Sequence, residues 1–127
     1  WQATLDRALL NRDELIQILT NLLRNAYQAI QETHGPGAIL VQAQNRAGFL
    51  VVEVIDNGSG ISIENQPKIF QQGFTTKSPD EGTGLGLAIC RRYAHAFGGE
   101  VELVYSDKTH GTCFRISIPL CAEEAVA

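Results

Sequence analysis

The sequence predicts one α+β domain, a two-layer sandwich with helices on one face of a mainly antiparallel mixed sheet. Two stretches with helical periodicity, residues 13–31 and 85–97, predict the helical layer. Two pairs of short alternating stretches, each pair joined by a polar link, predict two β-hairpins. We expect the domain to cover residues 1–121, with a C-terminal tail over residues 122–127.

The first helix is predicted by leucines at three- and four-residue spacings in a stretch without glycine or proline. Leu15, Leu19 and Leu23 are expected to face the core. Asn11 and Glu14 predict a capping box at the start of the helix. The sequence HGPG, which follows the stretch, predicts the end of the helix.

The strands are expected over residues 39–44 and 49–55 in the first hairpin and over residues 101–105 and 112–120 in the second. A short helix is predicted near residues 64–70. The second long helix is expected to stop at a Gly-Gly pair, as helices commonly do at a C-terminal glycine.

The composition is that of a globular protein, since 44% of the 127 residues are hydrophobic and 19% are charged. The net charge of -4 argues against a general attraction for nucleic acid or for an anionic membrane. No apolar stretch approaches the roughly 20 residues that span a bilayer. The three cysteines lack metal-ligand spacing, so we expect reduced thiols in a cytoplasmic protein. The sequence begins at Trp1 and has no methionine, which is typical of an excised domain.

Five polar side chains, mostly amides, recur along the first helix at helical spacing. They are Glu14, Gln17, Asn21, Asn25 and Gln28. At about 100° per residue they share one sector, which is expected to face away from the leucines. One interpretation is a solvated helix face. The other is a row of neutral oxygen ligands, of which a single Asn can hold Mg²⁺ together with substrate phosphates.

The segment VIDNGSGI places Asp56 at the end of an apolar strand, with Gly58 and Gly60 close behind it. A simple Asp-Asn-Gly turn is one interpretation. Alternatively, a carboxylate fixed at a strand end can accept a hydrogen bond from the exocyclic amino group of adenine. Guanine has a carbonyl at that position, and burying two facing acceptors is costly, so such a carboxylate selects adenine.

The segments FQQGFTTK and GTGLGL lie just before the second helix. The N-terminus of a helix favours an anion, so the glycines can form a phosphate loop. The spacing matches neither a P-loop nor a dinucleotide fingerprint, and a flexible turn remains the other interpretation. The preceding segment is either a surface loop pinned by two phenylalanines or a lid over a ligand.

The order of these motifs resembles that of a known family. NLLRNAYQAI, DNGSGI, FQQGFTTK and GTGLGLAI resemble the N, first glycine, F and second glycine boxes of sensor histidine kinases. These ATP-binding catalytic domains belong to the Bergerat superfamily, so the resemblance implies the Bergerat fold. The short segment between the F box and the second glycine box resembles the nitrogen-regulation type.

The resemblance implies a set of nucleotide contacts and cofactors, ATP and Mg²⁺. Asn25 matches the Mg²⁺ ligand and Asp56 the adenine-binding acid, with Gly58 and Gly60 forming the turn beneath the base. The other implied contacts are Asn21, Gln28, Ile61, Phe74, Thr75, Thr76, Lys77, Gly82, Thr83, Gly84, Leu85, Gly86 and Leu87. Gln28 stands where many relatives have a phosphate-contacting Lys, and Lys77 is a candidate for the missing charge.

The superfamily includes kinases and hydrolases, and position 21 favours a kinase. The ATPases resemble one another in having a Glu four residues before the metal-binding Asn, where it activates water. Here that position is Asn21, which cannot take a proton. His34, His95 and His110 do not match a phosphoacceptor motif, so structural or solvated roles are expected.

The resemblance also implies partners. The γ-phosphate is expected to pass to a His on the protein's own helical dimerisation domain, and then to a response regulator receiver domain. The full-length protein is expected to be a homodimer in the cytoplasm, and such parents can be anchored in the inner membrane without membrane contact by this domain. The alternatives are a conformational ATPase and a non-catalytic nucleotide-binding docking domain.

Overall fold

The computed structural model describes residues 2–33, 35–71 and 86–119, with only the backbone of residues 2–12. The elements are α1 Gln2–Gln31, β1 Ile39–Arg46, β2 Phe49–Asp56, a 3-10 helix at Gln66–Lys68, α2 Gly86–Ala96, β3 Glu100–Asp107 and β4 Gly111–Pro119. The described strands form one sheet in the order β1-β2-β4-β3, and every neighbouring pair is antiparallel. The predicted α+β sandwich and both predicted hairpins are confirmed.

The core lies between the two helices and one face of the sheet. Alternate residues of the central strands point toward the helices, and they meet in register, with Val52 opposite Ile116 and Val54 opposite Phe114. The buried core residues are Ile18, Leu22, Ala26, Val52, Val54, Ile69, Cys90, Ala94, Val101, Phe114, Ile116 and Ile118. Both helices therefore cover the same face of the sheet, as predicted.

The start of α1 differs from the prediction. The helix begins at Gln2, so Asn11 and Glu14 lie within it and the predicted capping box is wrong. A capping pattern in the sequence does not exclude a helix that continues upstream of it, because these residue types also occur inside helices.

The buried side of α1 also differs from the prediction. Ile18 and Leu22 are fully buried, whereas Leu23 is 38% exposed. The side of α1 that faces the core includes part of the polar stripe, because α1 packs against both the sheet and α2. Asn21 is consequently buried at 8% exposure, so this amide does not face away from the core as expected.

The C-terminus of α2 ends in a Schellman motif, as the Gly-Gly pair predicted. Gly98 has a φ of 82°, which favours glycine. The N–H of Gly99 donates to the carbonyl of Ala94 at 2.8 Å, and the N–H of Gly98 donates to the carbonyl of His95 at 3.0 Å. These bonds satisfy carbonyl groups that the last turn leaves without helical partners.

Two features contain fewer residues than predicted. The β1–β2 link consists of Ala47 and Gly48, both with positive φ, which is the geometry of a type I′ hairpin turn. The short helix expected near residues 64–70 is a three-residue 3-10 helix that contains Pro67. Proline is tolerated in a first helical turn, where its missing N–H costs nothing.

Candidate functional site

Asp56 is the last residue of β2 and is buried at 4% exposure. Its Oδ1 accepts a hydrogen bond from the N–H of Gly58 at 2.8 Å. Burial raises the pKa of the Asp56 carboxyl, and hydrogen bonds from the backbone of Gly58 and Thr112 oppose that effect. Backbone hydrogen bonds thus hold the carboxyl in place, and a carboxylate oxygen can accept a further hydrogen bond, such as one from a ligand's N–H.

Asn57 links the loop after β2 to the segment between α1 and β1 by side-chain hydrogen bonds. Its Oδ1 accepts the N–H of Ala38 at 2.8 Å, and its Nδ2 donates to the carbonyl of Pro36 at 3.2 Å. The Asp-Asn-Gly segment is therefore hydrogen-bonded to a segment distant in sequence, which a simple local turn does not require.

The same loop is in direct backbone contact with the C-terminal end of α1. A Cβ placed on Gly58 would lie 2.6 Å from the carbonyl carbon of Ala29, so only glycine fits. The N–H of Ser59 donates to the carbonyl of Ala29 at 3.1 Å. This contact joins the last turns of α1, which include Gln28, to the loop that follows Asp56.

The loop after Asp56 also contacts the β3–β4 hairpin. The N–H of Ile61 donates to the Ser106 hydroxyl at 2.7 Å, and that hydroxyl lies 2.7 Å from the hydroxyl of Thr112. Thr112 is opposite Asp56 in the β2–β4 register and is 3% exposed. Sequence reasoning missed both hydroxyl residues, because only the strand register shows that they lie beside Asp56.

A second part of the site lies at the contact between α1 and α2. The Asn21 side chain hydrogen-bonds the sulfur of Cys90, and the Cys90 thiol donates to the carbonyl of Ile18 at 3.7 Å. Burial raises the pKa of the Cys90 thiol to about 11, so the group is a neutral thiol. The Cγ of Asn21 lies 3.9 Å from the Cβ position of Gly86, the first residue of α2.

Asn25 and Gln28, two further amides of the polar stripe, lie on α1 between Asn21 and Ala29. Asn25 is half-buried one turn after Asn21, and Gln28 is half-buried next to Ala29. Each makes contacts with other groups of the protein. One helix therefore carries Asn21 against the start of α2 and Ala29 against the loop after Asp56, so the structure brings three of the predicted motifs together.

Other predicted contacts fall outside the described residues, and their roles stay predictions. They are Phe74, Thr75, Thr76, Lys77, Gly82, Thr83, Gly84 and Leu85. Leu87, in the first turn of α2, is partly buried and packs against the core. Phe70 also packs there, edge-on to Phe114 with ring centroids 6.3 Å apart.

The histidines that the structure describes lie at surface positions beside carboxylates. His95 Nε2 is 3.0 Å from Glu100, near the end of α2. His110 Nδ1 is 3.1 Å from Asp107, in the β3–β4 turn. His34 lies outside the described residues. Over the described residues, neither α1 nor α2 combines the length and the hydropathy of a membrane-spanning helix.

The fold and these motifs define a class of protein. The chain belongs to the family described as Histidine kinase-, DNA gyrase B-, and HSP90-like ATPase, which matches residues 10–122. The resemblance predicted from the four boxes is therefore confirmed, and the four boxes lie within the matched residues.

The relatives include a sensor protein and a nitrogen regulation protein. The chain is 38% identical over 112 residues to the C4-dicarboxylate transport sensor protein DctB of Rhizobium meliloti (strain 1021), covering 88% of this chain and 17% of DctB. It is 35% identical over 120 residues to the nitrogen regulation protein NtrY of Azorhizobium caulinodans, covering 91% of this chain and 15% of NtrY. The chain thus spans less than a fifth of the length of either relative.

Solved structures agree with the fold. The nucleotide-free catalytic domain of histidine kinase ThkA superposes with a TM-score of 0.71 at 34% identity, covering 89% of this chain and 70% of that one. The predicted Bergerat-type fold is confirmed by this match.

Proposed function

We propose that the chain binds Mg·ATP and donates the γ-phosphate to a His on a separate helical dimerisation domain of the same sensor kinase. The family match and the similarity to DctB, which is named as a sensor protein, support this proposal. So does the arrangement of α1, which contacts both the loop after Asp56 and the start of α2.

The base is proposed to bind at Asp56. The buried carboxyl accepts the exocyclic amino group of adenine, and glycine at positions 58 and 60 lets the loop after it pack directly against the backbones of Ala29 and Asp107. A carboxyl with a raised pKa pays a desolvation cost at neutral pH, and a hydrogen bond from the ligand offsets part of that cost.

Asn25 is the proposed protein ligand of Mg²⁺. Among the described residues, no three His, Cys, Asp or Glu side chains cluster as metal ligands. That arrangement fits a hard cation held mostly by substrate phosphates and water, with one amide oxygen from a rigid helix. When bound, Mg²⁺ neutralises charge that develops on the transferred phosphate. The amides of Asn21 and Gln28 flank Asn25 on the same helix and are proposed to orient the polyphosphate.

The observation that favours a kinase over a hydrolase is the position of Asn21. Its amide is buried against Cys90 and cannot take a proton from water. Glu14 lies on the same helix sector but is roughly 10 Å away from Asn21 along the helix axis. The described residues thus offer the attacking water no carboxylate base one turn from Asn25.

The proposed partners follow from the same function. The His-bearing domain and a response regulator receiver domain would act on the phosphate in succession, in a homodimeric parent. A cytoplasmic location for this domain, within a parent that can be anchored in the inner membrane, is part of the proposal.

The test is phosphotransfer in trans. The 127-residue chain is mixed with Mg²⁺, ATP labelled at the γ-phosphate and the helical phosphoacceptor domain of its parent. We expect acid-labile label on the His of the helical domain and little release of free phosphate by the chain alone. Steady ATP hydrolysis that Asn25→Ala abolishes would instead support a conformational ATPase. Nucleotide binding without labelling would support a docking domain.

A further inference from the structure

The sulfur of Cys90 joins α2 to two groups of α1 that lie about one turn apart. Its thiol donates to the backbone carbonyl of Ile18 at 3.7 Å, and the side chain of Asn21 hydrogen-bonds the same sulfur. Cys90 is fully buried and Asn21 is only 8% exposed, so both contacts lie in a region of low dielectric constant, where a hydrogen bond is stronger than in water. The proposed function gives Asn21 a role but leaves this cysteine without one.

The direction of both hydrogen bonds follows from the chemistry of a thiol. A carbonyl oxygen can only accept, so the single hydrogen of the Cys90 thiol is directed at Ile18. Burial raises the pKa of this thiol to about 11, so it keeps that hydrogen at neutral pH. Toward Asn21 the sulfur can then only accept, and the side chain must present its NH₂ group. The amide oxygen of Asn21 is therefore the end that points away from Cys90.

The Asn21 side chain lies beside the start of α2. Its Cγ atom is 3.9 Å from the Cβ position of Gly86, the residue that begins α2 about one turn before Cys90. Asn25, the proposed Mg²⁺ ligand, follows one turn later on the same sector of α1. Asn21 is thus next to the helix start that is proposed to hold phosphate and one turn from the amide that is proposed to hold the metal.

We propose that Cys90 is a positioning residue, which holds the NH₂ group of Asn21 and thereby turns the oxygen of that amide toward the proposed Mg²⁺ and polyphosphate. This inference rests on the proposed function. An amide that lacks such a contact can rotate by half a turn and exchange its oxygen for its NH₂ group, since the two are nearly equal in size. An NH₂ group can neither bind a cation nor accept a hydrogen bond, whereas an amide oxygen can do both.

The test compares the affinities for ADP with and without Mg²⁺, measured by calorimetry on the 127-residue chain. Cys90→Ala and Cys90→Ser form a matched pair, because they differ by one hydroxyl, which can donate to Ile18 and accept from Asn21 as the thiol does. Cys90→Val and Cys90→Thr, which have nearly the same shape, form a second pair if a smaller side chain leaves a cavity that unfolds the chain.

Cys113→Ala is the control for the loss of a buried thiol. Cys113 is the other buried free cysteine among the described residues. It lies opposite Ile55 in the β2–β4 register, on the face of the sheet that points away from the helices. Its removal should therefore leave the contact between α1 and α2 unchanged.

We expect Cys90→Ala to lower the affinity for Mg·ADP about fivefold, the value of one ordinary hydrogen bond, and to leave the affinity for metal-free ADP almost unchanged. Cys90→Ser should restore the affinity for Mg·ADP, and Cys113→Ala should not change it. In an Asn21→Ala background, Cys90→Ala should have no further effect, because Cys90 acts through that amide.

The side-chain amide of Asn21 gives a second readout, which needs no nucleotide. In the ¹⁵N-labelled chain, its NH₂ protons should exchange with water more slowly in the wild type and in Cys90→Ser than in Cys90→Ala, because the sulfur or the hydroxyl holds one of them.

Equal losses of affinity for ADP with and without Mg²⁺ in Cys90→Ala would overturn the inference, since a merely structural role weakens both forms alike. A serine variant that does not restore binding of Mg·ADP would also overturn it, and so would an effect of Cys90→Ala that persists without the Asn21 amide. If the wild type binds no adenine nucleotide at all, the proposed function fails instead. The exchange rates then still report whether Cys90 holds the amide, so the two failures are distinguishable.

Discussion

The two places where α1 meets a glycine-rich segment are built differently. At its C-terminal end the contact is backbone to backbone, since a Cβ on Gly58 would lie 2.6 Å from Ala29. In its middle the contact runs through side chains, and the Cβ position of Gly86 is 3.9 Å from Asn21. The proposed base-binding end is therefore fixed by the main chain, whereas the proposed phosphate-binding end depends on side chains around Cys90.

We expect the two contacts of α1 to serve different parts of the proposed nucleotide site. Recognition of one base needs donors and acceptors in fixed positions, and a buried, hydrogen-bonded loop provides them. A polyphosphate and its metal are recognised by charge and by several amide groups, which tolerate small shifts. Substitutions at the base end should consequently have larger effects than those at the phosphate end.

The largest effect is expected from Asp56→Asn. The amide fills the same space, but its NH₂ group cannot accept the amino group of adenine. We expect the affinity for ADP to fall on the order of 100-fold, measured by calorimetry. Asp107→Asn is the control, because Asp107 is an exposed acid on the neighbouring hairpin turn, and its substitution should change the affinity less than about twofold. Unchanged ADP affinity in Asp56→Asn would remove Asp56 from the base site.

Gly58→Ala and Gly86→Ala together test whether the two contacts of α1 differ in how closely they are packed. A methyl group at Gly58 must displace the backbone of Ala29, so we expect a loss of about 2–3 kcal/mol in the free energy of unfolding. Among the described residues, a methyl group at Gly86 meets only Asn21, at an ordinary contact distance of 3.9 Å, and it favours the helix, so stability should stay constant or rise by up to about 1 kcal/mol. Denaturant unfolding gives both values. Equal losses at the two positions would contradict the proposed difference.

Asn25→Ala should show a smaller effect, and one that depends on the metal. We expect the affinity for Mg·ADP to fall about tenfold, because one oxygen ligand of the metal is lost. Metal-free ADP should bind almost as before. Gln17→Ala, an exposed position on the same sector of α1, is the control. If both forms of the nucleotide lose affinity equally, Asn25 does not bind the metal.

The smallest effect is expected from pH. Because burial raises the pKa of Asp56 in the fold, its protonated form favours folding, and that contribution is lost as the pH rises through the folded pKa. Relative to Asp56→Asn, the wild type should therefore lose stability with rising pH, at a rate of up to about 1.4 kcal/mol per pH unit between the unfolded and the folded pKa of this carboxyl. Parallel unfolding series from acid to neutral pH measure the difference. A difference that does not vary with pH would show that the carboxyl is not desolvated.

The sequence was sufficient for the elements whose cause is local. Alternation predicted the hairpins, and the Gly-Gly pair predicted the Schellman end of α2, because one or two residues determine each of these features. The start of α1 and the burial of Asn21 were not predicted. The burial of Asn21 depends on the packing of α1 against α2, which periodicity along one helix does not reveal. The start of α1 was missed because the residue types of a capping box also occur inside helices.

The residues of the candidate site were likewise predictable only in part. Asp56, Gly58 and Asn25 stood out because each has a residue type suited to its proposed chemistry. Ser106 and Thr112 did not, since serine and threonine are common in strands and turns. Their place beside Asp56 follows from the register of three strands that are distant in sequence. A hydrogen-bond row across a sheet is visible only once that register is known.

The most direct measurement uses Mn²⁺·ADP, with the paramagnetic ion in place of Mg²⁺, and the ¹⁵N-labelled chain. If α1 joins the two loops around one cleft, the ion should broaden the side-chain amide signal of Asn25 most strongly. The amide of Gly58 should shift with ADP alone and be broadened much less. Broadening that spares Asn25, or ADP shifts that spare the loop after Asp56, would contradict a shared cleft.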